Sequence, residues 1–389
     1  MNAVSALGRR AKDTLRMLPG ASALNAAWRG RSTLATYQRL VQHYAARPRS
    51  APPPLPRLDI GARRPRILFI GTDESQDRSG FIQALERMSE LTLFTRADGA
   101  YGHNDPREPA VRRAANRDRL LEILAAMDAR GGRPDIVLAQ SWSTLLDPTG
   151  FDAARRLGAL VINLSLDDRH QYRGRRDRFG WSGTLGLVGH IDLALTAAPE
   201  CVHWYEAEGC PALYFPEASD PDIFHPIAGL PKSYEVSFVG GCYGIRKRTV
   251  DALRRAGIQV AAFGSGWEGG RIDNEAMVRL FAQSRVVLGV GTIGHCTDFY
   301  ALKLRDFDAP MSGSAYLTHD NPDLAGLYDI GRDIATYRDV DECVDRARAL
   351  LADDDARERM ARAGRERALR DHTWDRRFGE LFRLLGVTA

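Results

Sequence analysis

Twice along this chain, short apolar runs alternate with stretches of helical period. The first series opens with RILFIG, ending in Gly71, and continues through a helical segment from Arg117 to Ala129, the breakers Gly131, Gly132 and Pro134, and the strand IVLA. Phe151 to Leu157 is then helical, LVINL and IDLALT read as strands, and ALYF closes the series. Runs that are apolar at consecutive residues bury both faces, and strands separated by helices must lie parallel with crossover connections. The second series runs YEVSFVG, a helix to Ala256, IQVAAFG, a helix ending near Ser284, VVLGVG, a helix around Phe307, AYLT and a helical tail from Asp339. Between the two, PEASDPDIFHPIAGLPKS from Pro216 to Ser233 keeps no period and reads as an interdomain connection. The expected class is α/β, with two Rossmann-like doubly wound domains facing a cleft: residues 65–217, residues 233–372, and a closing helix over 373–389.

A length of 389 residues at 44% hydrophobic composition suffices for two such cores. No apolar run reaches about 18 residues and no secretory signal opens the chain, so the expected location is the cytoplasm. Five scattered cysteines without a C-x-x-C pair indicate neither a disulfide framework nor a zinc site. The overall charge of +4 is unevenly spread. Residues 1–56 hold nine Lys/Arg (Arg9, Arg10, Lys12, Arg16, Arg29, Arg31, Arg39, Arg47, Arg49) against Asp13, a net of +8, which leaves −4 for the rest. A mildly acidic body argues against nucleic acid as a partner. In the extension, Leu34, Tyr37, Val41 and Tyr44 fall on one face of a short helix. Two readings stand open: the helix lies on an anionic membrane surface at the inner face of the membrane, or its stripe packs on the body. APPPLP, Ala51 to Pro56, then reads as a stiff linker.

Ligands of doubly wound sheets bind beyond the carboxyl ends of the strands, so the turns there carry the argument. In the second series the first such turn is FVGGCYGIRKR, where Gly240 and Gly241 let backbone approach a ligand and Arg246 and Lys247 add cations. It suits a diphosphate; a dinucleotide is not indicated, because the glycines miss G-x-G-x-x-G and no acid follows the next strand. The second turn, FGSGW, supplies Gly264, Gly266 and Trp267, an indole against which a base or sugar could lie. The third, KLRDFDAPMSGSAYLT, supplies Lys303, Arg305, Asp308 and Gly313, with Lys303 and Asp308 expected near opposite ends of a helix.

These segments resemble the spore-maturation (CgeB-like) branch of the GT-B glycosyltransferases, whose pattern is Lys-x-Arg-x-Phe-Glu, a glycine turn and Leu-Leu-Thr-Asp. FVGGCYGIRKR, FGSGW, NPDLAGLYDIGRDIATY and RERMARAGRERALRDHTWDRRF are similar to further motifs of that branch, and the likeness covers most of the second half. In the first half it is confined to DIVLAQ, INLSLDD and FPEASDPDIFHP. The resemblance implies a metal-independent, hexosyltransferase-like enzyme needing no cofactor. Its nucleotide-diphosphate sugar donor would sit in the second domain and an acceptor (glycan, lipid or protein) in the first. It also implies that Asp308, five residues before Gly313, meets the donor ribose, with Lys303 and Arg305 on the diphosphate or ribose. The partner glutamate of the wider group falls on Tyr300.

An acceptor hydroxyl needs a general base, expected from the first half. Asp167, Asp168, His170, Asp73 and Glu74 are candidates, with Asp168 favoured; His103 stands outside this set, and His372 reads as packing. Other functions compatible with the same pattern are a nucleotide-sugar epimerase and a non-catalytic nucleotide-sugar-binding or surface-assembly protein.

Overall fold

The computed structural model describes residues 21–48 and 51–387, with side chains of the first helix from residue 28 onward. Of the basic residues of the extension, Arg9, Arg10, Lys12, Arg16 and Arg49 lie outside the described residues. The first sheet comprises β1 (Arg66–Ile70), β2 (Glu90–Leu93), β3 (Ile136–Ala139), β4 (Leu160–Ser165), β7 (Leu193–Thr196) and β8 (Ala212–Tyr214) in the order β2-β1-β3-β4-β7-β8. Between β4 and β7 a two-stranded hairpin intervenes, β5 (Arg176–Asp177) and β6 (Gly180–Trp181). The second sheet comprises β9 (Tyr234–Val239), β10 (Val260–Phe263), β11 (Ser284–Leu288), β12 (Ala315–His319) and β13 (Ala335–Tyr337) in the order β10-β9-β11-β12-β13. Within both sheets every neighbouring pair is parallel.

The continuous apolar run of β1 has a direct cause. Ile67 and Phe69 enter one buried cluster and Leu68 and Ile70 the other, because consecutive strand residues face opposite sides of a sheet covered on both. The closing helix, Trp374–Leu385, returns to the first domain. Trp374 meets Phe81 at 4.9 Å between ring centres, Phe378 meets it at 5.0 Å, and Leu385 accepts the Leu58 N–H at 2.8 Å. Where the chain crosses between domains the two crossings pair, Ser219 N–H donating to His372 O and Trp374 N–H to Ser219 O.

The first described helix, Ala21–Ala45, lies across both domains. Tyr44 stacks on Trp204 with ring centres 5.3 Å apart, while Tyr37 meets Phe299 of the second domain at 4.5 Å and donates to Glu200 Oε1 at 2.7 Å. The apolar stripe is thus occupied by the body. It is rotated from the expected one, for Leu40 is buried and Val41 is exposed, and outward it presents Trp28, Arg29, Arg31 and Arg39. Among the described residues no helix is long and apolar enough to cross a membrane.

One ion network ties the domains beside this helix. Arg169 donates to Glu200 of its own domain and, at 2.6 and 3.0 Å, to both carboxylate oxygens of Asp323 in the second, and also to Tyr300 O at 3.0 Å. The side chains of Arg169 and Asp323 are 11% and 8% exposed. Removing one partner of a buried pair strands the other charge, so Arg169→Ala is expected to lower the unfolding free energy by about 3–5 kcal/mol in a denaturant titration. A loss below about 1 kcal/mol would show the network to be solvent-screened.

Candidate active site

The carboxyl ends of both sheets converge on an interdomain cavity of about 390 Å³. The first domain contributes Asp73, Ser75, Gln76 and Ser79 beyond β1 and Leu166 with Asp167 beyond β4. Glu217 comes from the crossing segment, and the second domain adds Val239, Arg271, Asn274, Lys303, Arg305 and Asp308. Asn274 also touches the opposite domain, its Nδ2 donating to Ser75 O at 2.7 Å. Another hollow, about 530 Å³, runs along Arg57, Asp152 and Asp192. It receives none of the motif residues.

The turn after β9 explains where the cations sit. Gly240 has φ +154°, and a Cβ placed there would lie 3.0 Å from an Arg305 guanidinium nitrogen and 3.3 Å from one of Arg246. Two guanidinium groups therefore flank the same point, which only glycine leaves open. Gly264, at φ +124°, brings the next turn into backbone contact, since its Cβ would stand 2.4 Å from Gly240 O. Arg246 lies 4.1 Å over the Tyr243 ring and donates to Gly241 O at 3.2 Å; Arg305 lies 5.0 Å over Phe238 and donates to Val239 O. Among the described residues neither has a carboxylate at ion-pair distance. Nε of Arg246 and both Nε and Nη2 of Arg305 are buried without a partner. Burial, and then the neighbouring Arg305 charge, push Arg246 down to about 10. Buried like charges lacking a counter-ion are costly, and such a site favours an anion that pairs with both.

Facing these cations are carboxyls in two states. Glu217 is fully buried, has Oε2 unpartnered, and is pushed up to about 8 by burial. Burial likewise carries Asp308 well above the usual carboxylate range. Asp167 and Asp73 sit at the rim: Asp167 Oδ1 is 3.9 Å from Lys303 Nζ and 4.0 Å from His170 Nε2, and Asp73 Oδ1 accepts the Gln76 N–H. Burial lowers His170. Among the described residues, no group of three or more His, Cys, Asp or Glu is placed to hold a metal ion.

Several sequence expectations need correction. Asp168 does not reach the cavity; it is 1% exposed, accepting hydrogen bonds from Thr184 Oγ1 and Tyr205 OH inside the first domain. The chain turns into the helix Asp168–Gln171 at that residue, so the adjacent Asp167 keeps the cavity side. Trp267 is no stacking platform: it is 8% exposed, its Nε1 donates to Gly240 O at 2.8 Å, and its ring meets Phe238 edge-on. Lys247 points outward and pairs with Asp251. Gly266 abuts Cys242, and Gly313 lies beyond the far end of the helix Arg305–Met311 against Pro226. Lys303 precedes that helix and Asp308 stands in its first turn, so both line the cavity together instead of marking opposite ends. Tyr300, at the position of the missing glutamate, donates to Thr297 O. Glu217 was not singled out from sequence, since it lies in an aperiodic stretch; its only mark is a charged residue directly after Pro216 at the domain crossing.

Residues 246–383 match a family model described as Glycosyl transferase-like. No curated protein matches the chain. Among solved structures it is similar to Anabaena HepE in complex with UDP and glucose, with a TM-score of 0.60, 10% identity, and 84% of this chain and 100% of that one covered. It is also similar to a sucrose-phosphate synthase from Thermosynechococcus elongatus, with a TM-score of 0.57, 12% identity and coverage of 84% and 100%. The lipopolysaccharide outer core galactosyltransferase WaaB, apo form, gives a TM-score of 0.51 at 14% identity, covering 82% and 99%. At these identities the likeness establishes the fold, two Rossmann-like domains in the GT-B arrangement.

Proposed function

We propose that the chain is a glycosyltransferase that takes a nucleotide-diphosphate sugar between Arg246, Arg305 and Lys303 and transfers the sugar to an acceptor held against the first domain. The observation that carries this reading is the pair of guanidinium groups flanking Gly240, with no carboxylate at ion-pair distance among the described residues, of which Arg305 lines, together with Lys303, the cavity that both domains share. A similar fold has been solved with UDP-glucose bound, which supports a donor of that chemistry. Breaking the bond to the nucleoside diphosphate adds negative charge to the leaving group, and fixed guanidinium and ammonium groups stabilise that charge without a metal. Asp308, whose carboxyl burial holds well above the usual carboxylate range, suits a hydrogen bond to a ribose hydroxyl. Asp167 and Asp73, at the rim on the first domain, are the bases this reading offers for the acceptor hydroxyl. The test is a thermal-shift screen of UDP, GDP and TDP in EDTA, followed by transfer assays with the sugar of the base that protects. Protection in EDTA that is lost in Lys303→Ala is the expected result; no protection by any of the three would refute the reading. Epimer formation from the donor alone, or binding without transfer, would replace it with an epimerase or a binding protein.

A further inference from the structure

The segment Tyr172–Gly183, YRGRRDRFGWSG, is a basic hairpin that the donor site does not use. Its frame is built: Arg175 N–H donates to Ser182 Oγ at 2.7 Å, Ser182 N–H to Arg175 O at 2.8 Å, and Ser143 Oγ to Trp181 O. A Cβ on Gly183 would stand 2.0 Å from Gln171 O, so its base is packed closely on the helix Asp168–Gln171. On this frame two aromatic rings hold four guanidinium groups. Arg173 and Arg176 lie 4.3 and 5.7 Å from the Trp181 ring centre, and Arg113 and Arg178 lie 4.5 and 4.7 Å from that of Phe179.

A guanidinium over a ring uses its face there and keeps its N–H edge for an oxyanion. On the hairpin itself that edge is unclaimed. Among the described residues no Asp or Glu reaches ion-pair distance of Arg173, Arg175, Arg176 or Arg178. The one acid of the hairpin, Asp177, accepts the Phe179 N–H. Arg113 is 5% exposed, sees only Asp147 at 3.8 Å, and its Nε is buried without a partner, as is that of Arg173. Phe179 itself is 44% exposed. The hairpin follows β4 through Asp167 and the short helix, and Ser143, which binds it, follows β3. It therefore stands at the same carboxyl edge of the first sheet from which Asp73 and Asp167 line the cavity.

We infer that this hairpin binds an anionic group of the acceptor, a phosphate or carboxylate carried on the sugar to be extended, so that the acceptor class is an acidic glycan. The inference rests on the transferase reading above, which assigns the acceptor to the first domain. A membrane surface is the competing occupant. It is disfavoured because the guanidinium edges are pre-set by rings and packed backbone, whereas a bilayer needs only loosely held charge.

The experiment uses the full chain saturated with UDP and measures binding of glucose 6-phosphate, glucuronic acid and glucose by calorimetry, in the wild type and in Arg176→Ala/Arg178→Ala, whose side chains are exposed. The expected result is that one of the acidic sugars binds about 10-fold or more tightly than glucose, identifying phosphate or carboxylate, and that the double variant loses this preference while UDP affinity is unchanged. Acidic sugars binding no better than glucose, or equally well to the double variant, would overturn it. So would sedimentation with phosphatidylserine vesicles that depends on Arg176 and Arg178 in the absence of any sugar preference. Failure of UDP to bind, with the acidic-sugar preference intact, would strike the donor reading alone.

Discussion

Arg305→Ala is expected to weaken UDP binding by about 100-fold or more while leaving the unliganded protein as stable as wild type, or more so. Each charge-assisted hydrogen bond to a diphosphate contributes about 1.5–3 kcal/mol, and Arg305 has two unpartnered nitrogens to give, so two bonds amount to about 100-fold at the lower limit. Stability moves the other way because, without a ligand, Arg305 stands beside Arg246 with no counter-charge, and its removal relieves like-charge repulsion and an unpaired burial. Arg246→Ala, with one unpartnered nitrogen to give, should weaken UDP binding by about 10-fold. Lys247→Ala, on the outer surface and paired with Asp251, should leave UDP binding unchanged. At UDP 100 times its dissociation constant the wild type gains about 2.7 kcal/mol, a shift that the Arg305 variant should lose in a thermal melt. If Arg305→Ala instead destabilised the free protein and kept its UDP-induced shift, the guanidinium pair would be structural and the donor site would lie elsewhere.

Fold and site were unequally legible, for physical reasons. Strands buried on both faces, such as RILFI and LVINL, announce themselves as unbroken apolar runs, so the two sheets could be read. The edge strand β2, ELTL, and β13, ATY, could not: they are short and partly exposed, and their apolar content falls to that of a loop. The hairpin β5–β6 was hidden because arginine runs read as solvated surface unless the rings that stack them are seen. At the site, a glycine turn followed by cations marked Gly240 and Arg246, since that chemistry is local in sequence, whereas Arg305 was marked by the resemblance of KLRDF to a family motif. Asp167 and Asp168 differ by one residue, and only the start of a helix at Asp168 decides which side chain turns inward. Trp267 and Lys247 failed for a related reason: a residue type shows what a side chain can do, but only its neighbours show whether a hydrogen bond or an ion pair has already taken it.

Glu217→Gln is expected to flatten the fall of stability with rising pH and to remove a loss of nucleotide affinity above pH 8. The sign is opposite to that of an ordinary ion-paired glutamate. Burial raises Glu217 from 4.5 to about 8, so between those values the folded protein holds a proton that the unfolded chain has released. Stability must then decline as pH climbs through that window, by about 3–5 kcal/mol over its full width, and level off above it. Asp308, raised by the same cause, adds to the slope in the same direction. Glutamine cannot ionise, so the variant should match wild type near pH 4 and exceed it at pH 9. The consequence for function follows from position. Glu217 lines the cavity that Arg305 and Lys303 enter, and as a neutral acid it does not oppose a diphosphate, whereas its carboxylate form would. Wild-type affinity for UDP should therefore fall between pH 7 and pH 9 while that of Glu217→Gln holds. Parallel stability and affinity profiles for the two proteins would mean that Glu217 is ionised and solvated at neutral pH, and that the cavity is open to water in solution.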